Sequence, residues 1–169
     1  DMGYKTVSTN PCGEIPLCPY DSCRLLALNL YSYVNAPFTS GAEFDFALFR
    51  QHIAYAQRIM DDVIDLELEK IDTILRKIES DPEDEELKAV ELNLWRRIRE
   101  KAEEGRRTGI GITAEGDMLA ALGLRYGSDE ATAFAVKVQK TLALEVYRSS
   151  VQLAKERGKF RIFDAKREE

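Results

Sequence analysis

Apolar positions at intervals of three and four dominate the middle of the chain. Phe46, Phe49, Ile53, Ala56, Ile59, Met60, Val63 and Ile64 form one stripe. It predicts an amphipathic helix that begins near Glu43 or Asp45 and runs to about Leu68. The pattern extends through Ile71, Ile74, Leu75 and Ile78. Ser80-Asp81-Pro82-Glu83-Asp84 then reads as a restart, with Asp81 as N-cap, Pro82 at the first helical position and acids in the first turn. The helix that follows carries Leu87, Val90, Leu94, Trp95 and Ile98 and is predicted to end near Gly105. A last long helix is capped by Ser128. Its stripe is Phe134, Val138, Leu142, Val146 and Val151, and Gly158 stops it.

Other stretches lack that period. Residues 1–23 read as loop, because Pro11, Pro16 and Pro19 each remove a backbone donor and turn the preceding residue away from helix. Residues 23–34, Cys-Arg-Leu-Leu-Ala-Leu-Asn-Leu-Tyr-Ser-Tyr-Val, predict a buried strand, with a helical turn at Leu25–Leu30 as the competing reading. Gly109 to Thr113 is short and β-like. A brief helix over about 114–122 follows and closes at Gly123, and Phe160 to Phe163 is a final extended piece. The fold class is therefore mostly α with two or three short β-strands.

Composition narrows the class. The chain has 169 residues, 44% hydrophobic and 32% charged, which excludes a disordered or collagen-like chain. No window approaches the apolar length of a membrane span, and no secretion signal opens the chain, so no membrane partner and a cytoplasmic location are expected. The net charge of −6 argues against a nucleic-acid partner. That imbalance sits in residues 61–107, which hold 16 acidic and 10 basic side chains. The chain reads as a single partial domain with three regions: a loop and short strand at 1–42, a charged helical region at 43–107, and a strand, short helix and long helix at 108–169.

Candidate chemistry lies in the first region. All three cysteines, Cys12, Cys18 and Cys23, precede position 38. In Asn10-Pro11-Cys12-Gly13-Glu14 an extended backbone would put amide, thiol and carboxylate on one side. Asn10 and Glu14 would then stand about 13 Å apart, too far to share one sugar. Pro11 fixes one φ angle and Gly13 admits angles other residues avoid, so a bent loop could converge all three groups on a small polar ligand. On residue types alone a plainer reading is commoner: a turn with a capping Asn, a buried Cys and a surface Glu. The cysteine spacing is not that of a zinc site, no metal is expected, and His52 reads as a surface or satisfied core residue. Gly109-Ile110-Gly111 is not a dinucleotide fingerprint. Asp61, Asp62, Asp65, Glu67 and Glu69 read as a solvated helix face rather than a metal site. Arg106-Arg107 could meet phosphate or simply suit a helix end.

Ser8-Thr9-Asn10-Pro11-Cys12-Gly13-Glu14-Ile15-Pro16-Leu17, followed by Tyr20-Asp21-Ser22-Cys23-Arg24-Leu25-Leu26-Ala27-Leu28-Asn29-Leu30, resembles the active-site segment of the ribonucleotide reductase catalytic subunit. The resemblance continues through Gly105 to Ala131 and from Ser150 to Asp164. It implies a fragment of a ten-stranded α/β barrel with the cysteine loop inside. It implies that Cys12 forms the thiyl radical that removes the ribose 3′ hydrogen, and that Glu14 takes the 3′-hydroxyl proton. Asn10 would hold the substrate hydroxyls, so that Asn10, Cys12 and Glu14 bind substrate together. Cys23 would be one of two thiols that reduce the 2′ position, its partner lying upstream, and Cys18 a bystander. The Asn-Pro-Cys-Gly-Glu-Ile-Pro-Leu run and the acidic insertion are similar to the adenosylcobalamin-dependent class, although no cobalamin contact is assignable. The implied partners are a ribonucleoside di- or triphosphate, an external dithiol reductant of the thioredoxin or glutaredoxin kind, and further copies of the chain. A phosphate loop is expected beyond Glu169, so the isolated chain is expected to be an inactive internal fragment.

Two other functions compete. A metal-dependent nucleotide hydrolase would use the Asp61–Glu69 carboxylates. A non-catalytic helical interaction module would use the apolar face of the 129–157 helix.

Overall fold

The computed structural model describes residues 5–13 and 15–167. The described chain is mostly helical. Six short strands, β1 (Ser8–Thr9), β2 (Pro16–Leu17), β3 (Arg24–Asn29), β4 (Val34–Asn35), β5 (Glu43–Phe44) and β6 (Thr108–Thr113), form three two-stranded sheets. Four helices accompany them: α1 (Phe46–Ser80), α2 (Glu85–Gly105), α3 (Glu115–Ala121) and α4 (Asp129–Arg157). No closed barrel is present among the described residues. No described helix is long and apolar enough to cross a membrane.

The chain divides into two compact units. One comprises residues 25–59 and 109–156. Its core joins Leu30, Tyr33, Phe44, Phe49, Ile53, Met118, Leu119, Val138 and Leu142. Aromatic edges organise it: Phe49 meets Tyr33 at 4.9 Å and Phe44 at 5.4 Å between ring centroids. β3 pairs with β6, and β4 pairs antiparallel with β5, Val34 opposite Phe44. His52 is exposed, with its Nδ1 3.2 Å from the Tyr33 hydroxyl, as the surface reading expects.

The other unit comprises residues 1–24, 60–108 and 157–169. The second part of α1 and all of α2 form a helical hairpin there. The link of residues 81–84 is short, which makes antiparallel neighbours. Ion pairs follow that direction: Glu79 with Arg96, Asp72 with Arg99, and Asp61 and Asp65 with Arg106. Ile64, Ile71 and Ile78 are buried at heptad spacing along α1.

Several sequence expectations change in detail. Residues 1–23 are not all loop, since β1 and β2 pair, Thr9 opposite Pro16. A proline can sit there because a two-residue edge ladder needs few donors. The 23–34 strand stops at Asn29, whose side chain accepts from the Tyr31 N–H and caps a 3-10 turn over Leu30–Tyr33. The restart cap is Asp84 rather than Asp81; its carboxylate accepts from the Glu86 N–H at 2.9 Å. Helix α2 ends at Gly105 as expected, and Arg106 follows it in the left-handed conformation (φ 42°), its guanidinium bound to Asp61 and Asp65. Ile59 and Val151 are exposed, and Leu153 is buried on α4 instead. Residues 160–163 make a turn closed by the Phe163 N–H on the Phe160 carbonyl at 3.1 Å.

Candidate functional site

The segment that holds Asn10 and Cys12 is a hairpin loop between β1 and β2. The ladder is extended by the Val7 N–H donating to the Leu17 carbonyl at 2.9 Å. Within the loop, the Gly13 N–H donates to the Asn10 carbonyl at 2.9 Å, closing a four-residue turn. Asparagine first, proline second and glycine fourth are the residues such a turn prefers. Gly13 has φ +80°, a conformation costly for a residue with a Cβ. The Asn10 side chain adds a second closure, its Oδ1 accepting from the Ile15 N–H at 2.9 Å, and the Asn10 N–H reaches the Ile15 carbonyl at 3.2 Å. The loop is therefore bent. Cys12 sits exposed in its turn, not buried as the plainer reading would have it. Glu14 lies outside the described residues.

The chain leaves the hairpin through a second turn. Cys18 is buried, and the Asp21 N–H donates to its carbonyl at 3.2 Å. Burial pushes the Cys18 thiol pKa up, and the neighbouring Asp21 carboxylate pushes it further. Both effects disfavour the thiolate form. The Asp21 side chain is almost wholly buried and paired with Arg107, whose second nitrogen donates to the Pro16 carbonyl at 2.9 Å. Cys23 is half-buried, its sulfur 3.8 Å from the Arg24 carbonyl oxygen. Arg24 is itself fixed by Glu67 at 2.5 Å and by the Ser22 and Arg107 carbonyls. The structure thus brings Asn10 and Cys12 into one turn and places Cys23 immediately before β3.

The acidic cluster has a different use. Carboxylate oxygens of Asp61, Asp62 and Asp65 lie within 4.8 Å of one another. Arg106 binds Asp61 at 2.8 Å and Asp65 at 2.7 Å, and Arg157 binds Asp61 at 2.5 Å and Asp62 at 2.7 Å. Burial would raise the Asp61 pKa, but the hydrogen bonds from the two guanidinium groups outweigh it and hold the carboxyl below its ordinary value. Two guanidinium groups already pair with these carboxylates, so the cluster is an ion-pair network. Glu67 is committed to Arg24. These pairings remove the basis of the hydrolase reading.

Sequence reasoning missed Asp21 and gave Arg107 only a generic role. A buried carboxylate is invisible in a segment read as loop, and two adjacent arginines at a helix end carry no sign of their separate partners.

Comparison with known proteins bears on the whole chain. A family model described as the ribonucleotide reductase barrel domain matches residues 3–169. The vitamin B12-dependent ribonucleoside-diphosphate reductase of Thermoplasma acidophilum is 33% identical over 159 residues, covering 90% of this chain and 16% of that protein. The protein of the same name from Mycobacterium tuberculosis is 31% identical over 156 residues, covering 92% of this chain and 18% of its own length. The chain thus spans less than a fifth of the curated relatives it matches.

Proposed function

The chain belongs to the ribonucleotide reductase barrel family, and we propose that it carries the radical thiol loop of an adenosylcobalamin-dependent reductase, acting as part of a longer polypeptide. The observation that supports this most is the closed Asn10–Gly13 turn with an exposed Cys12 in it. A sulfur that must exchange a hydrogen atom with two different molecules needs to be reachable, and Cys12 is.

Adenosylcobalamin, when bound, supplies the radical that removes a hydrogen atom from a thiol, and exposed Cys12 suits that chemistry. The Cys12 sulfur then takes the ribose 3′ hydrogen: an S–H bond forms and the C3′–H bond breaks. Glu14 accepts the 3′-hydroxyl proton as general base. The 2′-hydroxyl leaves as water, taking its proton from the thiol pair. Cys23 and a second thiol elsewhere in the polypeptide give up two electrons and, besides the proton that leaves with the water, the hydrogen that forms a C2′–H bond in place of the broken C2′–O bond; they become a disulfide, and Glu14 returns its proton to the 3′ oxygen. Cys12 returns the hydrogen to C3′. An external dithiol, thioredoxin-like or glutaredoxin-like, restores the pair. Asn10 closes the loop and borders the substrate hydroxyls. The substrate is a ribonucleoside di- or triphosphate, and its phosphates are held by other parts of the polypeptide.

The isolated 169-residue chain is inactive on this account. Among the described residues β3 and β6 pair only with each other, which leaves strand edges open to a second copy. The test is reduction of ribonucleoside di- and triphosphates by the full-length protein with a dithiol, with and without adenosylcobalamin. Deoxyribonucleotide formed only with adenosylcobalamin is expected. Equal turnover without it, or none with it, would overturn the proposal.

A further inference from the structure

We propose that Arg107 is a positioning residue for the Cys12 hairpin, holding strand β2 through the buried Asp21 carboxylate and the Pro16 backbone. The inference rests on the reading of Cys12 as the reactive thiol, but its geometry stands apart from that reading. Arg107 sits between the end of α2 and the start of β6, on the scaffold rather than on the hairpin. One guanidinium nitrogen pairs with Asp21, whose side chain is 1% exposed, and another donates to the Pro16 carbonyl at 2.9 Å. Asp21 is in turn oriented by the Ser22 N–H, 2.9 Å from its Oδ1. The Arg107 carbonyl also accepts from Arg24, the residue that follows Cys23. Arg107 therefore contacts both cysteine-bearing segments, closely at the Cys12 hairpin and at 3.5 Å beside Cys23.

The arrangement has a physical logic. A two-residue ladder is far too short to fix a hairpin by itself. The loop must be anchored elsewhere if Cys12 is to meet a sugar with the accuracy that catalysis requires. A planar fork contacting a carboxylate and a carbonyl at once sets orientation as well as distance, which a lysine point charge cannot do. Arg107 touches neither substrate nor Cys12 in this role.

The test uses the full-length protein with Arg107→Gln, Arg107→Lys and Asp21→Asn. The readouts are hydrogen exchange at the Val7 and Gly13 amides, and the separate effects on kcat and KM of ribonucleotide reduction. Arg107→Gln is expected to speed exchange at both amides about tenfold or more and to lower kcat with KM little changed. Lysine should rescue only part of either effect. Should Arg107→Gln not fold, Asp21→Asn, which keeps the shape and removes the charge, must move exchange and kcat in the same direction. Unchanged exchange in a folded variant would overturn the inference, as would full rescue by lysine. If Cys12→Ser retained reduction while Arg107→Gln still loosened the hairpin, the reading of Cys12 would fail and the anchor would remain.

Discussion

Replacing Gly13 by alanine isolates the conformational part of the loop's design. Gly13 has φ +80°, and a Cβ built there meets no heavy atom within 4 Å. The added methyl therefore clashes with nothing outside its own backbone, and the whole cost is that of a left-handed L-residue, roughly 1 kcal/mol. That corresponds to about a fivefold shift of the loop away from its closed form. The Gly13 N–H on the Asn10 carbonyl and the Asn10 N–H on the Ile15 carbonyl report the closure directly. Native-state hydrogen exchange at these two amides should speed up about fivefold. The global unfolding temperature should stay put, because the loop opens without the core. Gly111→Ala serves as control: it also meets nothing within 4 Å but carries no positive φ, and it should leave both amides alone. Unchanged exchange in Gly13→Ala would refute the turn as described, and a global loss like that of a core deletion would refute its local character.

Other outcomes follow from the packing and the charges. Phe49→Ala removes a fully buried ring from the aromatic cluster and should cost about 3–5 kcal/mol in denaturant unfolding; a loss below about 1 kcal/mol would contradict the core assignment. Asp84→Ala should cost about 1 kcal/mol, while Asp81→Ala costs little, since only Asp84 caps α2; thermal melts of the two variants decide between them. Asp61 has a folded pKa below its unfolded value, so its ion pairs stabilise fully above the unfolded value of about 3.9. That stability is lost as pH falls through the folded pKa. Asp61→Asn should flatten the acid limb of a stability–pH curve, and an unaltered limb would show that the network contributes nothing.

The helices were legible because their burial is periodic. Phe49, Ile53, Ala56, Met60 and Ile64 are buried as the stripe predicts. The errors fall where a local choice depends on tertiary partners. Asp81 and Asp84 are both acceptable caps in isolation, and the structure uses Asp84. The end of α2 at Gly105 was legible, but the pairing of Arg106 beyond it with Asp61 and Asp65, far away in sequence, was not. The 160–163 segment has strand-like residues but pairs with no strand among the described residues, and it turns. At the candidate site, the bend of Asn10–Gly13 was readable from proline and glycine. The anchoring of that bend by Arg107 was not, since it joins residues separated by the whole of α1 and α2.

The central claim is that the sulfur of Cys12 carries the hydrogen atom between sugar and radical source. Cys12→Ser in the full-length protein tests it most directly, read together with nucleotide binding. The account predicts that the variant still binds the ribonucleotide and forms no deoxyribonucleotide. Retained reduction by Cys12→Ser would contradict it.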